Sequence, residues 1–245
     1  MLYFCSRMYK ICVCYFIFMY SFCMMGQVKK IIYAFPRQGS DKRIFDSLTI
    51  DSSYTIQVIE YGAPARHQSM ASFAKQLSIQ IDTSRPFILL GVSLGGMICA
   101  ELAEIITPEK TILISSAKNR QELPLRYKFQ KALPVYKLFP GSVLLAGAKF
   151  LQPIVEPDRN TNKTTFKSML AAKQPTYMRR TIDLIINWNR KQNTSHIYRI
   201  HGTKDHTLPI RKIKSPNFLV DNGSHMMTLT KAKEVSQIVN LILKQ

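Results

Sequence analysis

The sequence predicts one α/β domain: a mostly parallel central sheet of about six strands flanked by helices, with a helical insertion. Three observations carry that expectation. From about Lys30 onward, apolar segments rich in β-branched residues alternate with segments of helical periodicity, the order that helical crossovers between parallel strands produce. Residues 86–92 form an almost unbroken apolar run, as a strand covered on both faces requires. A chain of 245 residues, 46% of them hydrophobic and without internal repeats, is long enough to bury one sizeable core.

Taken in order, residues 30–35 (Lys-Ile-Ile-Tyr-Ala-Phe) read as a buried strand and residues 54–61 as the next, separated by a turn-rich stretch at 36–41 and a short amphipathic piece at 42–48. A helix over 67–81 follows, because Met70, Phe73, Ala74, Leu77 and Ile81 recur at helical spacing. The apolar run at 86–92 is the central strand, 94–106 the next helix and 110–115 the fourth strand. Beyond Ala117 the character changes. Residues 119–191 hold 14 Lys or Arg against Glu122, Glu156, Asp158 and Asp183, and prolines at 124, 134, 140, 153, 157 and 175 punctuate the helical patterns. This segment reads as a basic helical lid inserted into a core made of residues 26–118 and 192–245. Strands at 195–200 and around 217–220 and a closing helix over 227–243 complete that core.

The first 25 residues differ from the rest. They contain no acid, Arg7 and Lys10 as bases, and an apolar run over 11–25, shorter than the roughly 20 residues that span a bilayer but suited to a signal-peptide core. No small-x-small site follows, and Lys29 and Lys30 put positive charge on the far side. The alternative is a start annotated too far upstream, with translation beginning at Met24 or Met25. The compartment follows this choice: cytoplasmic with a start near Met25, membrane-associated or exported otherwise. Cys5, Cys12, Cys14 and Cys23 all fall here, leaving Cys99 for the globular part, so no disulfide framework is expected. Cys12-x-Cys14 has no nearby histidine, and no metal is expected. The net charge of +19 favours anionic partners. It does not by itself make a nucleic-acid module, because the basic segment lacks interleaved stacking aromatics.

The chemistry-bearing motif is Gly91-Val-Ser93-Leu-Gly95-Gly96, set between the apolar strand and the following helix. That turn holds a serine hydroxyl clear of the sheet edge in a strained conformation. With 19 serines and 10 glycines in the chain, chance supplies only about 0.03 Gly-x-Ser-x-Gly matches. A tight turn without chemistry is the competing reading, but neither a phosphate-loop ending nor a dinucleotide fingerprint accompanies it. A serine nucleophile needs a base. Of the five histidines, His67 and His196 begin regular elements and His201 and His206 flank Asp205; His225 alone lies between the last strand and the last helix, in the chain order serine, acid, histidine. Asp205, directly after a strand, is the acid placed to accept the imidazole Nδ1 proton. Asp183 and Asp221 are the weaker alternatives.

Together, Gly91–Gly96, His201-Gly-Thr-Lys-Asp205 with Pro209, and Gly223-Ser-His225 resemble the α/β-hydrolase superfamily over residues 30–245, in particular small bacterial members lacking the first two strands. The resemblance implies the α/β-hydrolase fold, no cofactor, and an oxyanion hole formed by the backbone N–H groups of Gln38 and Leu94. Arg37 stands where the family pattern has glycine; it could narrow the pocket, bind an anionic substrate group or distort the hole. Cys99, in the helix behind the serine, is read as a packing residue. The expected activity is hydrolysis of a carboxylic ester or thioester, a small molecule that is anionic if the basic insertion or Arg37 contacts it. Acyl transfer, C–C bond cleavage and a catalytically silent binding scaffold are the alternatives. Association with an anionic membrane surface is a further expectation from the basic insertion, and nucleic acid is not an expected partner.

Overall fold

The computed structural model describes residues 29–155 and 162–245; the apolar N-terminal run with its four cysteines, and Glu156 and Asp158, lie outside them. Six strands, β1 (Lys30–Phe35), β2 (Tyr54–Val58), β3 (Phe87–Val92), β4 (Lys110–Ile114), β5 (Ile197–Gly202) and β6 (Phe218–Val220), pair in the order β2-β1-β3-β4-β5-β6. Every pairing is parallel. The chain winds one way from β1 to β2 and the other way from β3 onward. The order therefore reverses at the β1–β3 boundary, and such a boundary opens a crevice at the carboxyl ends of the strands.

Strand alternation sends side chains to both faces. Tyr33, Phe35, Leu89 and Leu113 pack on helices α1 (Met70–Ser78) and α2 (Leu94–Leu102) and on Trp188. Ile32, Ala34, Ile88, Leu90, Ile112 and Ile114 point the other way, toward Val235, Val239 and Ile242 of the C-terminal helix. Both faces are covered, which is why β3 is buried along its whole length.

Between β4 and β5 the chain runs through helices α3 (Leu125–Ala132), α4 (Gly141–Val155), α5 (Lys163–Ala171) and α6 (Pro175–Asn187). Two buried ionic contacts pin the ends of this segment. At its start, Arg199 of β5 donates through Nη2 to both carboxylate oxygens of Glu122 at 2.9 Å. At its end, Glu101 of α2 accepts from Trp188 Nε1 at 2.6 Å and from Arg190 Nη2 at 2.6 Å.

Several elements depart from what periodicity predicts. β2 stops at Val58, where its register with β1 ends at the Ala34–Val58 pair. The helix after Ser93 gives way after Leu102 to tighter turns, with Glu104 N–H donating to the Glu101 carbonyl and Ile105 N–H to that of Leu102. The closing helix is two pieces, α7 (Met227–Thr230) and α8 (Ala232–Lys244), because Lys231 leaves the helical region at φ −132°, ψ 35°.

Candidate active site

Ser93 follows β3 and caps α2 with φ 53° and ψ −115°, a conformation that costs a non-glycine residue of order 1–3 kcal/mol and persists only where the surroundings enforce it. The enforcement is visible. Ser93 N–H donates to the Ile114 carbonyl at 3.0 Å, and Ser116 Oγ donates to the Ser93 carbonyl at 2.7 Å. Gly95 is required by contact rather than by torsion: a Cβ there would lie 2.0 Å from the Phe35 carbonyl oxygen and 2.6 Å from that of Pro36. The start of α2 is thereby pressed against the end of β1, and the Ser93 turn comes to lie beside the loop 36–41.

Asp205 and His225 reach the same edge through a second close approach. A Cβ on Gly202, the last residue of β5, would sit 2.2 Å from the Gly223 carbonyl oxygen, and Lys204 N–H donates to that same carbonyl at 3.0 Å. The loop after β5 and the loop after β6 are thus held together. His225 Nδ1 lies 2.8 Å from Asp205 Oδ2, and its Nε2 lies 2.8 Å from Ser93 Oγ. All three side chains are buried. The three residues singled out from sequence form one hydrogen-bonded row across the carboxyl edge of the sheet.

Asp205 is further held by two backbone donors: Oδ1 accepts from Thr207 N–H at 2.8 Å and from Leu208 N–H at 2.7 Å. Burial alone would raise its pKa, but the charge of and hydrogen bond from His225, the proximity of His201 and the Leu208 amide outweigh it, and the carboxyl stays below the ordinary carboxylate value. A carboxylate facing Nδ1 fixes the tautomer in which Nδ1 carries the proton and Nε2 offers a lone pair to Ser93 Oγ. The alternative acids are occupied elsewhere. Asp183 on α6 accepts from the Tyr136 hydroxyl, and Asp221 accepts from Thr203 Oγ1 and Asn222 Nδ2.

His201, read from sequence as a flanking residue, is a member of the network. Its Nε2 is 2.7 Å from the Leu208 carbonyl and 3.5 Å from Asp205 Oδ2. Burial holds its pKa below the ordinary histidine value, so the neutral ring, donating from Nε2, braces the turn that carries Asp205. The available signal was the four-residue spacing of His201 and Asp205.

Gln38 and Leu94 lie on adjacent exits, since β1 and β3 are hydrogen-bonded neighbours ending at the Phe35–Gly91 pair. The loop 36–41, which leaves β1 and carries Gln38, is a tight turn, with Ser40 N–H and Oγ both donating to the Arg37 carbonyl and Gly39 at φ 79°. Gln38 Nε2 donates to Thr181 Oγ1 of α6 at 2.7 Å. Arg37 donates through Nη1 to Met226 Sδ, so its side chain crosses from the β1 loop to the residue after His225. Cys99 is fully buried, which pushes its thiol pKa well up, and it sits among the packing side chains of α2.

A cavity of about 360 Å³ adjoins this row. Arg37, Gln38, Thr207 and Met226 form its floor, and Tyr127, Leu151, Phe166, Met169, Leu170 and Met178 of the inserted helices its apolar walls. Its size lies within the range of about 300–1,000 Å³ usual for small-molecule sites. Ser93, Asp205 and His225 line neither this cavity nor a larger one of about 460 Å³ between the loop 65–68 and α6; the smaller one is assigned to the site because Gln38, His206, Thr207 and Met226 on its lining belong to the loops that carry or adjoin the row.

No protein-family profile and no curated protein matches the sequence. Solved structures do match it in fold. An enol-lactonase from Burkholderia xenovorans LB400 superposes with a TM-score of 0.67 at 12% identity, covering 89% of this chain and 92% of that one. An esterase from Exiguobacterium antarcticum gives 0.65 at 13%, over 89% and 93%, and a thermophilic esterase from Thermogutta terrifontis 0.63 at 15%, over 89% and 90%. The chain has the α/β-hydrolase fold, with a six-stranded all-parallel sheet flanked by helices.

Proposed function

We propose that this protein is a serine hydrolase that cleaves a small carboxylic ester or thioester through an acyl-enzyme, with residues 119–191 serving as a lid over the site. The observation that carries the proposal is the buried imidazole of His225, held at 2.8 Å on one nitrogen by Asp205 and at 2.8 Å on the other by Ser93. Fold alone does not fix a reaction, but that row is the machinery for moving a proton off a hydroxyl.

In this reading Ser93 Oγ attacks the substrate carbonyl carbon while its proton passes to His225 Nε2. Asp205 stabilises the imidazolium that results. The carbonyl oxygen, now negative, accepts hydrogen bonds from the backbone N–H groups of Gln38 and Leu94; one such donor is typically worth about 10²–10³ in rate. The intermediate collapses, the C–O or C–S bond breaks, and the Nε2 proton goes to the leaving alcohol or thiol. Water then attacks the acyl-Ser93 ester, giving its proton to His225; the second intermediate collapses, the bond from the acyl carbon to Oγ breaks, and Nε2 returns that proton to Ser93 Oγ as the acid leaves. The apolar cavity wall suits the acyl group, and the guanidinium of Arg37 favours a substrate carrying a carboxylate or phosphate nearby.

A fluorophosphonate probe and a panel of p-nitrophenyl esters and acyl thioesters test the proposal. Wild type is expected to be labelled and to turn over part of the panel. Ser93→Ala is expected to remain folded, escape labelling and lose at least ~10³-fold in kcat/KM. Folded wild type that resists the probe would favour the silent binding scaffold, for which the Arg37–Met226 contact beside the site is the supporting observation.

A further inference from the structure

The inserted helices present an apolar and cationic surface that the chemistry above does not use. Helix α3 buries none of its residues. Leu125 and Phe129 lie four residues apart on one of its faces, 66% and 58% exposed, and Leu133, the extended residue that ends the helix, is exposed as well. Leu138, in the short turn that follows, is 80% exposed, and Phe150 on α4 is 79% exposed. From Leu123 to Val155 the chain carries Arg126, Lys128, Lys131, Lys137 and Lys149 and not one acid. Side chains of α3 and α4, Tyr127 and Leu151, line the same cavity, so the two helices flank one opening.

Exposed large apolar side chains in this number mark an interaction surface. Lysines interleaved with them select among partners. A second copy of the chain would set like charges face to face, which opposes association. An acidic nucleic acid would leave the leucines and phenylalanines unburied. A lipid bilayer with anionic headgroups accommodates both features at once, with apolar side chains inserted to the acyl boundary and lysines at the phosphates. Among the described residues no helix is long and apolar enough to cross a membrane, and the arrangement is that of a surface lying on one.

We propose that the face formed by α3, the turn at residues 135–138 and α4 docks on anionic membrane surfaces, placing the mouth of the cavity beside Ser93 at the lipid interface. The docking does not depend on the hydrolase reading.

The test is co-sedimentation of the full chain with vesicles of equal parts phosphatidylglycerol and phosphatidylcholine, compared with phosphatidylcholine alone. Wild type and Ser93→Ala are both expected to bind the anionic vesicles, less so as salt rises, and the neutral ones weakly. Phe129→Glu, Leu138→Glu and Phe150→Glu combined are expected to weaken binding roughly a hundred-fold or more, with turnover of a water-soluble p-nitrophenyl ester unchanged. A second variant, Phe150→Trp, is expected to shift its emission to the blue on anionic vesicles. Undiminished binding of the triple variant would place the contact elsewhere, including in the apolar run at 11–25, and overturn the proposal. So would equal binding to neutral vesicles, or a vesicle-free dimer that the triple substitution dissociates.

Discussion

Replacing Asp205 by asparagine probes the proposed chemistry with the least structural damage. Oδ1 accepts from two backbone donors, Thr207 N–H and Leu208 N–H, so an asparagine amide must keep its oxygen there. Its NH₂ group then faces His225 Nδ1, and a donor facing Nδ1 forces that nitrogen to become the acceptor. The ring proton moves to Nε2, which now points a hydrogen at Ser93 Oγ and cannot take the hydroxyl proton. Imposing the wrong tautomer costs a triad about 10⁴ in kcat, or about 5.4 kcal/mol at 1.36 kcal/mol per decade. The fold should lose far less. Both backbone bonds survive, and replacing charge-assisted by neutral hydrogen bonds costs on the order of 1–2 kcal/mol. Steady-state hydrolysis of the best p-nitrophenyl ester, paired with a urea melt, separates the two effects. A folded Asp205→Asn retaining more than about a tenth of wild-type kcat would refute the inference that this carboxylate sets the tautomer.

Other perturbations have distinct signatures. Gly95→Ala places a Cβ against the Phe35 carbonyl, so the start of α2 must move off β1; a loss of about 1–3 kcal/mol in a urea melt and a proportionally larger loss of activity are expected. Gly147→Ala, in α4 with open space around its Cβ, should instead stabilise by about 0.4–1 kcal/mol. Glu122→Ala leaves the buried guanidinium of Arg199 without its carboxylate and is expected to cost about 3–5 kcal/mol by urea denaturation, partly recovered by adding Arg199→Met. The pH dependence of stability follows from His201 and Asp205. The folded pKa of His201 lies below its ordinary 6.5, so as pH falls through that value the unfolded chain takes up a proton the buried ring does not, and stability declines. Asp205, held below 3.8, adds a second loss below that pH. Urea melts of wild type and His201→Gln from about pH 7.5 to about pH 5 should show the first slope flattened in the variant.

The parts of the molecule legible in the sequence are those whose physics is local. A strand buried on both faces must be apolar at nearly every position, so residues 87–92 announce β3. The turn after it needs small residues where backbone meets backbone, so Gly91 and Gly95 flag Ser93. Chain order then selected Asp205 and His225, which the structure brings to hydrogen-bond distance. What periodicity could not give depends on partners far along the chain. Val58 ends β2 where its pairing with β1 ends, at Ala34, a boundary that lies in the neighbouring strand and not in the periodicity of residues 54–61. Arg199 in the middle of a buried strand reads as a mismatch until Glu122 is found 77 residues away.

The distribution of these long-range contacts bears on how the site tolerates change. The four loops that bring Ser93, Asp205, His225 and Gln38 together leave the strands at one edge, and the sheet's backbone ladder fixes their spacing independently of side chains between β4 and β5. The inserted segment is tied down at its two ends, by Glu122 to Arg199 and by Trp188 and Arg190 to Glu101. Arg120 reinforces the join by donating to the Ile186 and Trp188 carbonyls. Between those anchors, α3 buries none of its residues and reaches the core through the half-buried Tyr127, while Phe166 and Met169 of α5 reach from the cavity wall into it. The Ser93–His225–Asp205 row and the segment between β4 and β5 thus rest on largely separate supports: one on the hydrogen bonds of the parallel sheet, the other on buried charges at the two ends of the segment and on Phe166 and Met169 packed into the core.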